Sequence, residues 1–135
     1  MPASFLDSNV LLYLASTDDA RAQGAEALVA TGGTISVQVL NEVASVARRK
    51  MGMSWTEIGD FLGTLRALLA VQPLTVETHD RGMALAERYG FSIYDSMVVA
   101  AALQSGCETL WTEDLHHGQL IDDRLRIANP FKLDR

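Results

Sequence analysis

A chain of 135 residues suits one domain, and with 48% apolar residues it can bury a sizeable core without staples. Its net charge of −6 argues against a general basic nucleic-acid-binding module, and its single cysteine, Cys107, rules out an internal disulfide. The start lacks the basic and apolar regions of a signal peptide, and the longest apolar run, 97–103, is too short for a bilayer, so a cytoplasmic protein without a membrane segment is expected.

In chain order, Ser4, Phe5 and Leu6 read as a short buried strand that ends at Asp7. Residues 9–15 read as a short helix with Asp7 or Ser8 at its start, and 18–31 as an alanine-rich helix closed by Gly32 and Gly33. Residues 34–37 form a second strand. Residues 39–50 form a strong helix, because Val39, Leu40, Val43, Val46 and Ala47 recur at helical spacing. Ser54 and Glu57 make a capping box for a helix reaching about residue 71. On it Trp55, Phe61, Leu62, Leu65 and Leu68 form a stripe that suits the core or a dimer face. Residues 74–76, after Pro73, read as a third strand. Helices at 79–89 and 93–104 follow, stopped by Gly90 and Gly106. Residues 109–111 are a fourth strand, and 125–128 a last, edge strand.

Strands separated by helices imply parallel pairing with right-handed crossovers. The expected architecture is a three-layer α/β domain spanning 1–135, a small parallel sheet of four to five strands with helices on both faces. Ligands of such sheets sit beyond the carboxyl ends of the strands.

Four acids fall at that end. Asp7 follows the first strand and Asp114 follows the strand ending at Trp111; Glu42 and Asp95 lie in early turns of their helices. Singly, each has an ordinary structural explanation: Asp7, Asp95 and Asp114 could cap turns or helices, and Glu42 could lie on a solvated face. Together they make one site the simpler account. Clustered carboxylates repel unless a hard divalent cation, Mg²⁺ or Mn²⁺, joins them. Such an ion lowers the pKa of a bound water and stabilises charge on phosphorus, as phosphodiester hydrolysis requires. No recognisable serine–histidine or cysteine–histidine motif and no glycine-rich phosphate loop competes.

Four segments then carry a family resemblance: Phe5–Leu6–Asp7–Ser8–Asn9–Val10, Ile35–Ser36–Val37–Gln38–Val39–Leu40–Asn41–Glu42, Ser92–Ile93–Tyr94–Asp95–Ser96–Met97, and Leu110–Trp111–Thr112–Glu113–Asp114. In this order the chain resembles the PIN-domain ribonucleases, among them the VapC-type toxins of toxin–antitoxin pairs. The resemblance implies an endoribonuclease whose metal-binding acids are Asp7, Glu42, Asp95 and Asp114. It implies Thr112 as a catalytic-site hydroxyl, Asn9 as a supporting residue that braces the backbone, an RNA substrate, a homodimer and a cognate antitoxin. Many relatives carry a further acid two places after the fourth, where this chain has His116.

Other readings differ in what they require. A haloacid-dehalogenase-like phosphatase wants a second aspartate two places after the first, where Asn9 stands. A phospho-receiver module needs a late lysine after a core strand, and neither Lys50 nor Lys132 is so placed. A non-catalytic interaction protein on the same fold differs only by lacking activity.

Overall fold

The computed structural model describes residues 3–132; residues 1–2 and 133–135, the ends of the expected domain, lie outside the described range. The elements in order are β1 (Ser4–Leu6), α1 (Ser8–Leu12) with a 3₁₀ turn (Tyr13–Ala15), α2 (Asp19–Ala30), β2 (Thr34–Ser36) and α3 (Val37–Arg49). Then come α4 (Trp55–Leu68), β3 (Ala70–Gln72), α5 (Val76–Tyr89), α6 (Ile93–Gln104), β4 (Thr109–Trp111), β5 (Leu120–Ile121) and β6 (Leu125–Ala128). The helices flank one sheet in the order β3-β2-β1-β4-β6-β5, parallel throughout except for the antiparallel β5–β6 pair.

Local chemistry explains most boundaries. Ser36 ends β2 and accepts a hydrogen bond from the Val39 amide, so α3 starts two residues earlier than periodicity suggests. Ser54 and Glu57 form the expected capping box on α4. Gly90 closes α5 at φ 76°, a conformation open to glycine at no steric cost.

Three expectations need correction. The sheet has six strands, not four or five. The third strand is Ala70–Gln72 rather than 74–76: Pro73 has no amide for the ladder, and Thr75 instead caps α5 by accepting from the Thr78 amide. Leu125–Ala128 is not an edge strand, because Leu120–Ile121 folds back and covers it. That hairpin turns through Asp122 and Asp123, both at positive φ (51° and 56°). The Tyr89 hydroxyl secures the turn; it accepts from the Asp122 amide and donates to the Asp122 carboxylate, each at 2.9 Å.

The core gathers Phe5, Leu6, Val10, Leu11, Ile35, Val39, Val43, Leu110 and Ile127, all fully buried. Every residue of α6 from Ser96 to Leu103 is buried, so the longest apolar run of the sequence is a central helix, apolar all round. On α4 the stripe divides. Leu65 is buried in this chain's own core, whereas Trp55 is 66% exposed with the Arg48 guanidinium 4.8 Å from its ring centroid. Among the described residues no helix is long and apolar enough to cross a membrane.

The order places β2 and β4 on opposite sides of β1, so a crevice opens outside the carboxyl ends of β1 and β4. Leu6 pairs with Trp111, which sets Asp7 and Thr112 side by side just beyond the sheet.

Candidate metal centre

Asp7 leaves β1 at its carboxyl end and caps α1, where its Oδ1 accepts from the Ser8 amide at 2.7 Å. Its Oδ2 accepts from the Thr112 hydroxyl at 2.8 Å and from the Asn9 amide group at 3.4 Å. Thr112 Oγ1 in turn accepts from Asn9 Nδ2 at 3.0 Å and from the Asp114 amide at 3.1 Å, while Asn9 Oδ1 accepts from the Glu113 amide. Asn9 and Thr112 thus stitch the loop after β4 to the start of α1. The stitching fixes the backbone that carries Asp114 against the one that carries Asp7. Asn9 stands where a phosphatase of the haloacid-dehalogenase kind wants its second aspartate, and its amide is fully engaged in this bracing.

Thr112 is completely buried, and its hydroxyl serves three neighbours at once: Asp7, Asn9 and the Asp114 amide. Thr112→Val should destabilise the protein by about 1–3 kcal/mol, the cost of leaving buried donors without an acceptor, and Thr112→Ser should restore most of the loss. Urea unfolding of the three proteins checks this; equal stability of wild type and Thr112→Val would contradict it.

Asp95 sits in the first turn of α6. Its amide donates to Ser92 Oγ at 3.1 Å, so Ser92 caps the helix, and the Asp95 carboxylate is half-buried. Asp7, Asp95 and Asp114 each offer one carboxylate oxygen to a set lying within 4.8 Å of one another. Glu42, the fourth acid of the sequence reading, stands outside that set. Its carboxylate accepts from Ser8 Oγ at 3.0 Å and from Gln38 Nε2 at 3.1 Å, while its charge still reaches the other three. Sequence reasoning named Ser8 only as a helix start, gave Gln38 no role, and set Ser92 beside Asp95 only as part of a capping pattern. The four-residue spacing of Gln38 and Glu42 on one helix face was the available signal for the second.

The electrostatics follow from this crowding. Burial, then the Glu42 charge, pushes the Asp7 carboxyl up from 3.8 to about 7, against the hydrogen bonds from Thr112 and Ser8. Glu42 is raised chiefly by burial and also by Asp95 and Asp114; its bonds from Gln38 and Ser8 oppose the shift. Asp95 is raised by burial and by Asp114. The donor set is all oxygen and anionic, with Asp7 buried at the base and Asp114 exposed at the rim. Hard cations of the Mg²⁺ and Mn²⁺ kind suit such donors, and the open side leaves room for water and a phosphate.

The neighbouring polar groups have other work. Glu113 accepts from the Tyr13 hydroxyl at 2.9 Å and lies 3.7 Å from Arg21, so it ties the loop to the first helices. His117 Nδ1 accepts from the Asn129 amide at 2.8 Å, and His116 is exposed.

The family model of the PIN domain matches residues 4–120. No curated protein matches the chain in sequence. Several solved structures share its fold. A toxin–antitoxin complex from Klebsiella pneumoniae aligns at TM-score 0.73 and 18% identity, covering 97% of this chain and 100% of that one. VapBC2 from Rickettsia felis, bound to a DNA fragment from its promoter, aligns at TM-score 0.67 and 19% identity over 94% of this chain and 98% of that one. VapC20 of Mycobacterium tuberculosis, a toxin that cleaves the sarcin–ricin loop, aligns at 0.65 and 19% over 83% and 90%.

Proposed function

The chain belongs to the PIN domain family, and we propose that it is a single-domain, divalent-metal-dependent endoribonuclease, the cytoplasmic toxin of a toxin–antitoxin pair. One observation carries the reading: three carboxylates from separate segments meet in the crevice outside β1 and β4, in a frame of hydrogen bonds that leaves them facing one another.

Asp7, Asp95 and Asp114 would hold Mg²⁺ or Mn²⁺, which when bound supplies an activated water and charge stabilisation at the scissile phosphate. Asp7 is the fixed member, because Ser8 and Thr112 hold both its oxygens and burial keeps bulk water away. Asp95 and Asp114 approach from the more open sides. Glu42, oriented by Ser8 and Gln38, would add its charge and reach a bound cation through water. Thr112 and Asn9 act on Asp7 and on the Asp114 backbone as positioning residues.

A second protein as partner is supported by the toxin–antitoxin complexes that share the fold. An antitoxin segment lying over the acids would block cleavage, and a homodimer is the assembly we expect for the free toxin.

The test is a cleavage assay with the purified protein and end-labelled transfer, ribosomal and messenger RNA. Discrete internal fragments should form with Mg²⁺ or Mn²⁺, cease with chelator, and be suppressed by the product of an adjacent short reading frame. Intact RNA in every divalent condition, or cleavage that survives chelation, would contradict the nuclease reading.

A further inference from the structure

A shallow groove of about 400 Å³ adjoins the acids. Gln38, which donates to Glu42, lines one side, and Ile93 and Tyr94, the two residues before Asp95, line the other. Leu74, Val76 and His79 also line it, with the buried Met97. Four large apolar side chains stand exposed along it: Tyr94 at 68%, Val76 at 77%, Ile93 at 42% and Leu74 at 40%. The Tyr94 ring has no aromatic neighbour among the described residues, unlike Tyr13 and Tyr89, which pack on Phe131 and Phe91.

Thr75 lines this groove and also a second, polar pocket of about 420 Å³, so the two adjoin at that residue. Arg81 of α5 and Arg124 of the β5–β6 turn converge there, with Gln72 and Gln104 beside them. Glu77 also lines the pocket, yet among the described residues neither guanidinium lies within 4.0 Å of a carboxylate. Two cations from different elements therefore face one pocket without an ion-pair partner, in a protein whose net charge is −6.

We infer that these two adjoining pockets are the binding path for the single-stranded RNA flanking the scissile phosphate: one unstacked base lies on Tyr94 in the apolar groove, and the phosphates beyond it are held by Arg81 and Arg124. The inference rests on the nuclease reading and names the part of the substrate that this surface recognises. An acidic chain that acts on a polyanion needs local cations along the strand it binds, and these two lie past the apolar groove, towards the far end of α6 from Asp95. A bare aromatic ring beside apolar walls takes a base face without demanding a particular sequence, and only an unpaired strand can offer one.

The experiment measures fluorescence anisotropy of a labelled twelve-nucleotide single-stranded RNA in Ca²⁺ buffer, across a salt series. Wild type, Tyr94→Ala, Tyr94→Phe and the double variant Arg81→Ala/Arg124→Ala are compared. Tyr94→Ala should weaken binding about tenfold at every salt concentration, and Tyr94→Phe should keep near-wild-type affinity, since the stacking face survives. The double arginine variant should flatten the plot of log affinity against log salt by about 1.4, roughly 0.7 per lost phosphate contact on a single strand. Unchanged affinity and slope in all variants would overturn the proposal, as would absence of wild-type binding at low salt. Light scattering on the same samples supplies a further contrary outcome: if Tyr94→Ala converts a dimer to a monomer, the groove is a contact between copies. Cleavage by wild type in Mg²⁺ or Mn²⁺ is read separately. Binding with these variant effects but no cleavage would sink the nuclease reading and leave the binding path standing; cleavage with no variant effect would do the reverse.

Discussion

Asp95→Asn should lower divalent-dependent RNA cleavage by at least about 100-fold, the scale of losing one electrostatic stabiliser in a dry site. Asp95 is a clean probe of the acid set because the helix start is capped through its backbone amide, and the side-chain partner of its half-buried carboxylate is the same residue, Ser92. Asn preserves its size, so circular dichroism should still show the folded protein while activity disappears. Asp7→Asn should be at least as damaging, since Asp7 sits at the base of the set and faces both Glu42 and Asp114. Glu42→Gln should cost less, about tenfold, because that carboxylate lies outside the mutual 4.8 Å set and acts through charge and water. Steady-state rates on a single RNA substrate decide the order. A well-folded Asp95→Asn protein with full activity would remove the acid set from the chemistry.

The second large effect concerns stability without metal. The Asp7 carboxyl is raised from 3.8 to about 7, and Glu42 and Asp95 shift in the same direction. Between roughly pH 4 and 7 the folded protein therefore retains a proton that the unfolded chain has released. Stability is fully present below that window, falls as the pH rises through it, and stays low above it. For Asp7 the loss is on the order of a few kcal/mol, at 1.36 kcal/mol per pKa unit. The metal-free protein should thus melt at a higher temperature at pH 5 than at pH 8, and Asp7→Asn should flatten most of that difference.

Mn²⁺ or Mg²⁺ should act in the opposite direction, because the cation and the proton compete for the same oxygens. At pH 8 a hundredfold excess over the dissociation constant adds about 2.7 kcal/mol, or roughly 10 °C for a chain of this size. At pH 5 the rise should be much smaller. Thermal melts of wild type and Asp7→Asn at both pH values, with chelator and with Mn²⁺, check the whole pattern. A melting temperature that rises from pH 5 to pH 8 in chelator, or a metal response indifferent to pH, would contradict it.

Much of this was legible from residue order. A carboxylate directly after a short apolar strand, as at Asp7, and another three residues past Trp111, must lie at one end of a parallel sheet, so two site residues follow from topology alone. Asp95 followed from its place in the first turn of a helix that enters the same end. The alternative reading of Asp7 as a cap was also correct as far as it went: its Oδ1 caps α1 while the carboxylate joins the cluster.

What was not legible depended on short or tertiary signals. The β5 strand is two residues long and turns through Asp122 and Asp123, which lack the glycine that usually marks such a hairpin; the Tyr89 hydroxyl, 33 residues away, stabilises it. The β3 strand precedes Pro73, and its register against β2 is a tertiary fact. Glu42 lies further along α3 than periodicity placed it, because the cap falls at Ser36, and this goes with its standing outside the closest set. The α4 stripe, read as core or dimer face, divides into a buried Leu65 and exposed Trp55 and Leu68, while the exposed apolar surface beside the site belongs to the starts of α5 and α6.

The most direct measurement is anomalous diffraction at the manganese edge from crystals of the wild-type protein soaked in Mn²⁺. The account predicts a peak in the crevice outside β1 and β4, within about 2.5 Å of a carboxylate oxygen of Asp7, Asp95 and Asp114. That peak should be lost in Asp95→Asn crystals soaked in the same way. Saturating Mn²⁺ with no peak at these three residues, or a peak unchanged by Asp95→Asn, would contradict it.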